Sequence, residues 1–341
     1  MIVEDCGDNY STSSYALFIF DSSDEENMLM IYGNNALTQS SWTTTVGIEN
    51  IKTISIEEGI TGISAEIFED QTQLTTIDIS SSVRTIGENT LRGCTSLTTI
   101  NVAENNHYYS SSLNVLYNID KTILIQYPLG SEHTAYEIVS GVNTIKQYAF
   151  EKAVNLKEIT IGNDVTTIET MAFESIPNLQ KVTIGTKVNR IDDYAFRYCN
   201  NLLQFIVDEG NTNFKDEDGV LYRGTELVHF PAQKNVKKYY MPFDTTAISS
   251  YAFYGNTKIE FVITSEGITS VGSHAFDGCT YLKEIYLLTA NELTDDNQFA
   301  NCEKLKEVKV LTDNKMTTDA YSGKTLTKSL TTGKRKCKIY L

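Results

Sequence analysis

The chain has 341 residues, 41% of them apolar, which is enough to build a core, but it has no apolar run long enough to span a membrane as a helix. Its formal net charge of −16 argues against nucleic acid as a partner, because phosphate binding needs a surplus of Lys and Arg on one face. The first residues, MIVEDCGDNY, lack the basic and apolar regions of a signal peptide, so such a peptide is expected to be absent or already removed.

Residues 1–45 precede the first repeat and are predicted to form an N-terminal β cap segment. From 46 to 311, a tripeptide ending in Phe recurs at 66–68, 148–150, 171–173, 194–196, 251–253 and 274–276, with Leu91 and a weaker match around Phe299 in the same series. Successive anchors follow one another about every 23 residues, apart from one interval of about 59 residues and one of about 57 residues. A fixed period of this length is typical of a solenoid.

Other apolar residues keep the same period. The pattern L-x-x-I-x-I at 156–161 is followed by Val165, Ile168 and Phe173, and the same offsets recur one period later, from Leu179 onward. Each coil therefore contributes one short strand, whose two faces can be buried only when coils stack about 4.8 Å apart. The predicted fold class is an α/β-type repeat solenoid, mainly β, with a parallel sheet on one face.

The two long gaps are copies of one another. Residues 104–128 align with 209–231, which matches the VLY at 115–117 with the VLY at 220–222 and Pro128 with Pro231. Each copy has a β-rich run, a turn and a second β-rich run that ends at proline. Both gaps are therefore predicted to be inserted β-hairpins.

Four cysteines occupy one position of the repeat. Cys94, Cys199, Cys279 and Cys302 each lie three residues after the anchor, where other coils have Ala153, Ile176 or Gln71. A catalytic nucleophile is not needed four times in one chain, whereas a small buried side chain is. We interpret these cysteines as packing residues. A bridge between Cys279 and Cys302, one coil apart, is left open, and Cys6 and Cys337 are not expected to meet.

The sequence contains none of the common nucleotide, metalloprotease or serine-hydrolase motifs. The four histidines lie at unrelated positions of their units, and KDEDGV at 215–220 lacks the later ligands of a calcium loop, so a turn at Asp218-Gly219 is the favoured interpretation. We therefore expect no catalytic residues, no metal site, no cofactor and no enzymatic activity.

One outward position of the predicted strands changes in character along the chain. It holds Asp78, Asn101, Thr160 and Thr183, then Ile206, Ile263 and Tyr286, then Lys309. We predict that these apolar residues, Ile206, Ile263 and Tyr286, form an exposed stripe together with Phe261 and that the stripe binds a partner. The alternative is that an inserted hairpin or the C-terminal tail covers the stripe.

Residues 312–341 are predicted to be a basic C-terminal cap or tail. Between 321 and 341 the chain has five Lys, one Arg and no acidic residue. Such a run could meet an anionic membrane, but a solvated edge that protects a terminal strand is the favoured interpretation.

Three motifs give the chain a family resemblance: the coil with AFxxC and LxxIxI, the hairpin NxxFxxxDGVLYxxxTxLxxFP, and the opening CGDN with LMI at 29–31 and Trp42. Together they resemble the BspA-type leucine-rich repeat proteins, over residues 6 to 311. The resemblance implies a leucine-rich repeat array of ~23-residue coils. It also implies a protein that is secreted or attached to the cell surface, whose relatives act as adhesins.

The leading hypothesis is thus a non-enzymatic cell-surface adhesion protein, expected to be a monomer, that binds a protein or glycan macromolecule of unknown identity. An intracellular scaffold of the same fold, in the cytoplasm, is the alternative. A parallel β-helix enzyme acting on polysaccharide is a third hypothesis, but it would need three strands per coil and a stacked cluster of carboxylates.

Overall fold

The computed structural model describes residues 2–5, 17–21, 27–38, 50–287, 296–310, 320–321 and 324–325. As predicted, the described residues form a mainly β solenoid of about 11 coils with parallel sheets and almost no helix. The chain divides into two compact units, Met1–Leu221 and Tyr222–Leu341. The division into a cap at 1–45, an array at 46–311 and a tail at 312–341 stays a prediction.

A typical coil has two short strands and a turn. In the coil that begins at Glu158–Ile161, the second strand is Thr167–Ile168 and the turn carries Phe173. The second strand forms where the sequence shows only a short apolar pair, so each face of the stack has its own parallel sheet. Alternation places Ile159 and Ile161 in the core and Thr160 outward.

Among the described residues, four sheets lie entirely within unit 1. The first begins with antiparallel strands and continues as a parallel ladder: Ile2–Asp5, Leu17–Asp21, Met28–Tyr32, Thr53–Ile56, Thr76–Ile79 and Thr99–Val102. The second is parallel: Asn35–Leu37, Ile60–Ile63 and Thr85–Ile86. The third starts in the first inserted segment: Tyr109–Ser112, Val115–Asn118, Ile123–Gln126, Thr144–Ile145, Thr167–Ile168 and Arg190–Ile191. The fourth is parallel: Ala135–Glu137, Glu158–Ile161, Lys181–Ile184 and Gln204–Val207.

The boundary between the units lies in the second inserted segment, whose strands are Phe214–Glu217, Val220–Arg223 and Glu226–His229. In unit 2, Glu226–His229 pairs in parallel with Ala247–Ile248, which pairs with Ser270–Val271. The other sheet of this unit follows the order Lys238–Tyr240, Phe261–Ile263, Glu284–Leu287, Glu307–Val310, Lys324–Thr325 and Ala320–Tyr321. A 3₁₀ helix covers Asp296–Phe299.

The turns explain why a coil needs unusual backbone angles. Residues two positions before the anchor adopt left-handed φ values between 54° and 65°, namely Glu66, Asn89, Tyr148, Met171, Tyr194, Tyr251 and His274. In one turn the N–H groups of Glu66, Phe68 and Asp70 donate to carbonyls of the next coil at 3.0, 3.2 and 2.8 Å. Glu66 and Asp70, two residues before and two after Phe68, have left-handed φ values. With this backbone, the N–H groups of Glu66, Phe68 and Asp70 all point toward the next coil. The hydrogen bonds between coils thereby offset the strain.

The anchor phenylalanines stack along each unit. In unit 1 the ring centroids of Tyr127, Phe150, Phe173 and Phe196 follow one another at 4.7, 4.8 and 5.1 Å. In unit 2 those of Phe230, Phe253, Phe276 and Phe299 follow at 4.7, 4.6 and 5.4 Å. These spacings match the rise between stacked strands, so one buried ring per coil forms a continuous ladder.

Candidate functional site

The candidate site is the outward face of one sheet in unit 2. Successive strands pair in parallel so that Tyr240, Ile263 and Tyr286 lie in one row. Between these outward residues, Val262 and Ile285 are fully buried against the core. Tyr240 is 56% exposed, while Ile263 and Tyr286 are half-buried. We call Tyr240, Phe261, Ile263 and Tyr286 the aromatic face.

The rings of the aromatic face contact one another. The centroid of Phe261 lies 6.3 Å from that of Tyr240 and 5.3 Å from that of Tyr286, with tilted planes. The Tyr286 hydroxyl donates to Glu284 Oε2 at 3.2 Å, which fixes the ring at its outer end. Tilted aromatic neighbours with their polar ends at solvent are typical of residues that contribute strongly to protein interfaces.

Paired charges flank the aromatic face. Glu260 accepts from Lys283 Nζ at 2.6 Å and lies 3.2 Å from Lys237 Nζ. Hydrogen bonds from Lys283 and Lys237 lower the pKa of Glu260, so this carboxylate stays ionised below its ordinary range. An apolar centre bordered by charged groups corresponds to the core and rim of a binding surface.

Sequence reasoning found three of the four residues of the aromatic face. It missed Tyr240, because the strand Lys238–Tyr240 does not carry the L-x-x-I-x-I pattern that marked the other strands. The signal available was the pair of tyrosines one repeat period before Val262 and Ile263. Ile206, the fourth predicted residue, belongs to unit 1, where it is 38% exposed and pairs with Thr183. A binding role for Ile206, Phe261, Ile263 and Tyr286 stays a prediction.

The alternative that the C-terminal tail covers the stripe falls mostly outside the described residues. Two short strands of the tail are described, and Lys324–Thr325 extends the sheet beside Glu307. These strands lengthen the sheet at its edge.

The repeated cysteines are packing residues, as the sequence indicated. All four are buried and form no disulfide. Each thiol donates to the carbonyl of the preceding anchor phenylalanine at 3.0–3.1 Å: Cys94 to Phe68, Cys199 to Phe173, Cys279 to Phe253 and Cys302 to Phe276. Burial raises the pKa of Cys94 and of Cys199 to about 12. A thiol with such a pKa is a poor nucleophile at neutral pH. Cys6 and Cys337 lie outside the described residues.

Other polar residues with possible chemistry have structural partners. Asp218 and Gly219 both have positive φ and form the hairpin turn, and a Cβ at Gly219 would meet Gln204 Cβ at 3.0 Å. Asp216 Oδ1 accepts from the Val207 N–H at 2.8 Å. His274 stacks on Tyr251 at 4.9 Å and contacts Asp277 at 2.9 Å.

Within the described ranges, no three His, Cys, Asp or Glu side chains cluster as metal ligands would. In the same residues, no helix is long and apolar enough to cross a bilayer. The described coils with regular strands have two strands each rather than the three that a parallel β-helix enzyme would need.

Comparison with known proteins agrees with this architecture. The family model for the BspA type leucine rich repeat region matches six copies, over residues 46–127, 130–240 and 225–336. No curated protein matches the chain significantly.

Solved structures with the same fold include a leucine rich cell surface protein from Faecalibacterium prausnitzii A2-165. It is 21% identical, with a TM-score of 0.55, covering 88% of this chain and 89% of that one. The pneumococcal vaccine antigen PcpA is 19% identical, with a TM-score of 0.50, covering 88% of this chain and 86% of that one.

The repeat period, the paired parallel sheets and the match of the family model over most of the chain lead to one conclusion. The chain is a repeat protein that belongs to the BspA-type leucine-rich repeat family.

Proposed function

We propose that this chain is a non-enzymatic binding protein of the cell surface, which uses the aromatic face of unit 2 to hold a protein or glycan partner. The observation that carries the proposal is the cluster of Tyr240, Phe261, Ile263 and Tyr286 on the outward side of a rigid parallel sheet. In a repeat protein the ladder of hydrogen bonds fixes such a surface before the partner arrives, so little ordering entropy is lost on binding.

Two further observations support binding rather than catalysis. The described thiols are buried and hydrogen-bonded, and carboxylates such as Glu151, Glu174 and Glu260 are engaged by Arg or Lys. An active site needs titratable groups that converge on open space, whereas these groups form hydrogen bonds and ion pairs between coils.

The cell-surface location is supported by the family and by the name of the Faecalibacterium structure, a leucine rich cell surface protein. It is tested by labelling cells that produce the protein with an antibody against the folded array, before and after permeabilisation. Labelling of intact cells is the expected result. Labelling that appears only after permeabilisation would instead favour an intracellular scaffold.

A further inference from the structure

A four-residue turn follows one strand of each coil and recurs along both units. The N–H of its fourth residue donates to the carbonyl of its first residue, at 2.9 to 3.5 Å. The second residue of this turn is polar in seven of the described turns, namely Glu58, Ser81, Glu104, Ser140, Asn163, Thr186 and Glu209. A polar residue is expected there, because turns of this kind run over the protein surface.

The turn at residues 242–245 in unit 2 departs from this pattern. Its second residue is Phe243, which is 92% exposed. The other phenylalanines whose exposure is described are buried, apart from the half-buried Phe261. So exposed a ring contributes little to the packing of the fold, and departures from a protein's own pattern without a packing gain are expected at functional sites.

The backbone on which Phe243 stands is held firmly. The Thr245 N–H donates to the Pro242 carbonyl across the turn at 3.0 Å, and the proline ring fixes its own φ. Just before the turn, Met241 is buried and its N–H donates to the Ile263 carbonyl of the next coil at 2.9 Å. The ring is therefore presented on a rigid base, which limits the entropy lost on binding.

Phe243 lies close to the aromatic face along the chain. It follows Tyr240, the most exposed member of that face, by three residues. Three residues of chain span at most about 11 Å. Since a standard interface buries about 800 Å² on each partner, a partner that covers the aromatic face also reaches the turn.

A protruding ring is buried completely only by a concave surface. A sugar that stacks on one face of Phe243 leaves the other face and the ring edge in water, whereas a pocket encloses both faces. The hydrophobic gain grows with the apolar area removed from water, so insertion into a pocket gains more than stacking on a sugar. Pockets that receive one aromatic side chain are a common feature of protein interfaces.

Two carboxylates border Phe243. Asp244 is the next residue of the turn and is exposed, and the exposed Glu266 occupies the position of Phe243 in the following coil, one strand spacing of about 4.8 Å away. The lysines of this coil, Lys237 and Lys238, lie at the other end of the strand. The carboxylates are complementary to Lys or Arg on a partner, and they disfavour an anionic lipid surface.

We propose that Phe243 inserts into an apolar pocket of the partner, that the rim of this pocket carries Lys or Arg, and that the partner is therefore a protein. The proposal rests on the function proposed above, since the same partner covers the aromatic face and the turn. It narrows that partner from a protein or glycan to a protein, and it adds Phe243 to the residues that bind it.

The first test measures binding of the full chain to immobilised extracellular-matrix proteins and to intact cells. Phe243→Ser should bind at least about tenfold more weakly than the wild type at an unchanged unfolding temperature, because the ring contributes to binding and little to packing. Leu113→Ser is the matched control, since Leu113 is also an exposed apolar residue at a turn, and it should bind like the wild type. Equal binding by the folded Phe243→Ser variant, or the same loss in Leu113→Ser, would overturn the proposal.

Tyr240→Ser separates this proposal from the function proposed above. Weaker binding by Tyr240→Ser together with wild-type binding by Phe243→Ser would overturn the role of Phe243 and leave the aromatic face in place. Weaker binding by Phe243→Ser alone would support the role of Phe243 and remove Tyr240 from the interface. Absence of saturable wild-type binding to any of these surfaces would overturn both.

A second test identifies the class of the partner. Digestion of the cell surface with proteinase K should abolish binding of the wild type, whereas periodate oxidation of glycans should leave it unchanged. Loss of binding after periodate but not after proteinase K would assign a glycan and contradict the proposal. Co-sedimentation of the wild type, but not of Phe243→Ser, with phosphatidylcholine vesicles would place the ring in a bilayer and contradict it as well.

A third test addresses the basic rim of the pocket. Replacing Asp244 by Asn together with Glu266 by Gln removes the two carboxylates beside Phe243. This variant should bind more weakly than the wild type, and its binding should depend less on salt concentration. Tighter binding by the variant, or an unchanged salt dependence, would contradict a basic rim.

Discussion

Glu151 shows how single residues tie the coils together. The residue is 2% exposed, and its carboxylate is bound by Arg92, 59 residues earlier in the sequence, which also reaches Glu69 at 2.9 Å. The bonds to Glu151 raise the pKa of the Arg92 guanidinium, so the cation is permanent. This pair spans the first inserted segment and joins the coils on its two sides.

Replacing Arg92 by Met should destabilise the protein by about 1–3 kcal/mol, because the Glu151 carboxylate loses two hydrogen bonds from a cation and keeps only Lys152 Nζ at 3.8 Å. The matched control is Arg190→Met, since Arg190 forms an exposed pair with Asp192 at 2.6 Å. Urea unfolding followed by circular dichroism compares the two variants. Equal midpoints for both would contradict a structural role for the Arg92 pair.

His229 is predicted to make stability depend on pH. Burial lowers the pKa of His229 to about 4 from 6.5, so the folded protein favours the neutral imidazole. Above pH 6.5 the imidazole of His229 is neutral in both the folded and the unfolded protein, so it does not lower the stability there. As the pH falls below 6.5, the unfolded state takes up a proton that the half-buried His229 of the folded state does not, so stability is lost.

The variant His229→Gln removes this titration and introduces the residue that the first inserted segment has at the aligned position, Gln126. Unfolding midpoints at pH 4.5 and pH 7 should differ less in the variant than in the wild type. If both proteins lose the same stability over this range, His229 does not titrate as described.

At the scale of single residues, sequence reasoning succeeded where a position repeats. The cysteines could be interpreted because Ala153 and Ile176 fill the same position, which identifies a small apolar site. The same reasoning could not find Tyr240, since its strand Lys238–Tyr240 lacks the L-x-x-I-x-I pattern that marks the other strands.

At the scale of secondary-structure elements, the first inserted segment contains a turn whose residues are unfavourable for its left-handed backbone conformation. Leu113 and Asn114 have φ values of 52° and 63°, at the place where the second copy has Asp218 and Gly219. The Leu113 side chain is 74% exposed, so it contributes little burial to offset the strain. Turns with two left-handed residues favour Asn-Gly or Asp-Gly.

Changing Leu113→Asn together with Asn114→Gly should therefore stabilise the protein by about 1 kcal/mol. The reverse change in the second copy, Asp218→Leu, should destabilise it by a similar amount. Urea midpoints measure both. A lower midpoint for the Asn-Gly variant would show that the Leu113 side chain makes contacts that outweigh the backbone strain.

The strands of this segment were only partly predictable. Val115–Asn118 and Ile123–Gln126 follow from their β-branched and aromatic residues, and they pair antiparallel as a hairpin. The sequence of the third strand, Tyr109–Ser112, is typical of a polar loop, because three serines follow its tyrosine. It forms because the partner strand offers a free edge along Val115–Asn118.

At the scale of the whole chain, the repeat period determined most of the fold in advance. It located the coils, the inward strand positions and the anchor ladder, since stacking identical units requires the same residue types at the same offsets. The second parallel sheet was recognised only as an apolar pair, because a strand of two residues has no alternation to detect. The family followed from motifs in their order along the chain, whereas no pattern in the sequence identifies the partner.

The most direct test of the central claim is a binding comparison on immobilised extracellular-matrix proteins and intact cells. It uses the wild type, Tyr240→Ser, and Tyr240→Ser with Tyr286→Ser, and it uses Thr160→Ala with Thr183→Ala as a control on the equivalent row of unit 1. We expect saturable binding by the wild type and the control, and at least roughly tenfold weaker binding by both Tyr variants at an unchanged unfolding temperature. Equal binding by the folded Tyr variants, or no binding by the wild type to any of these surfaces, would contradict the account.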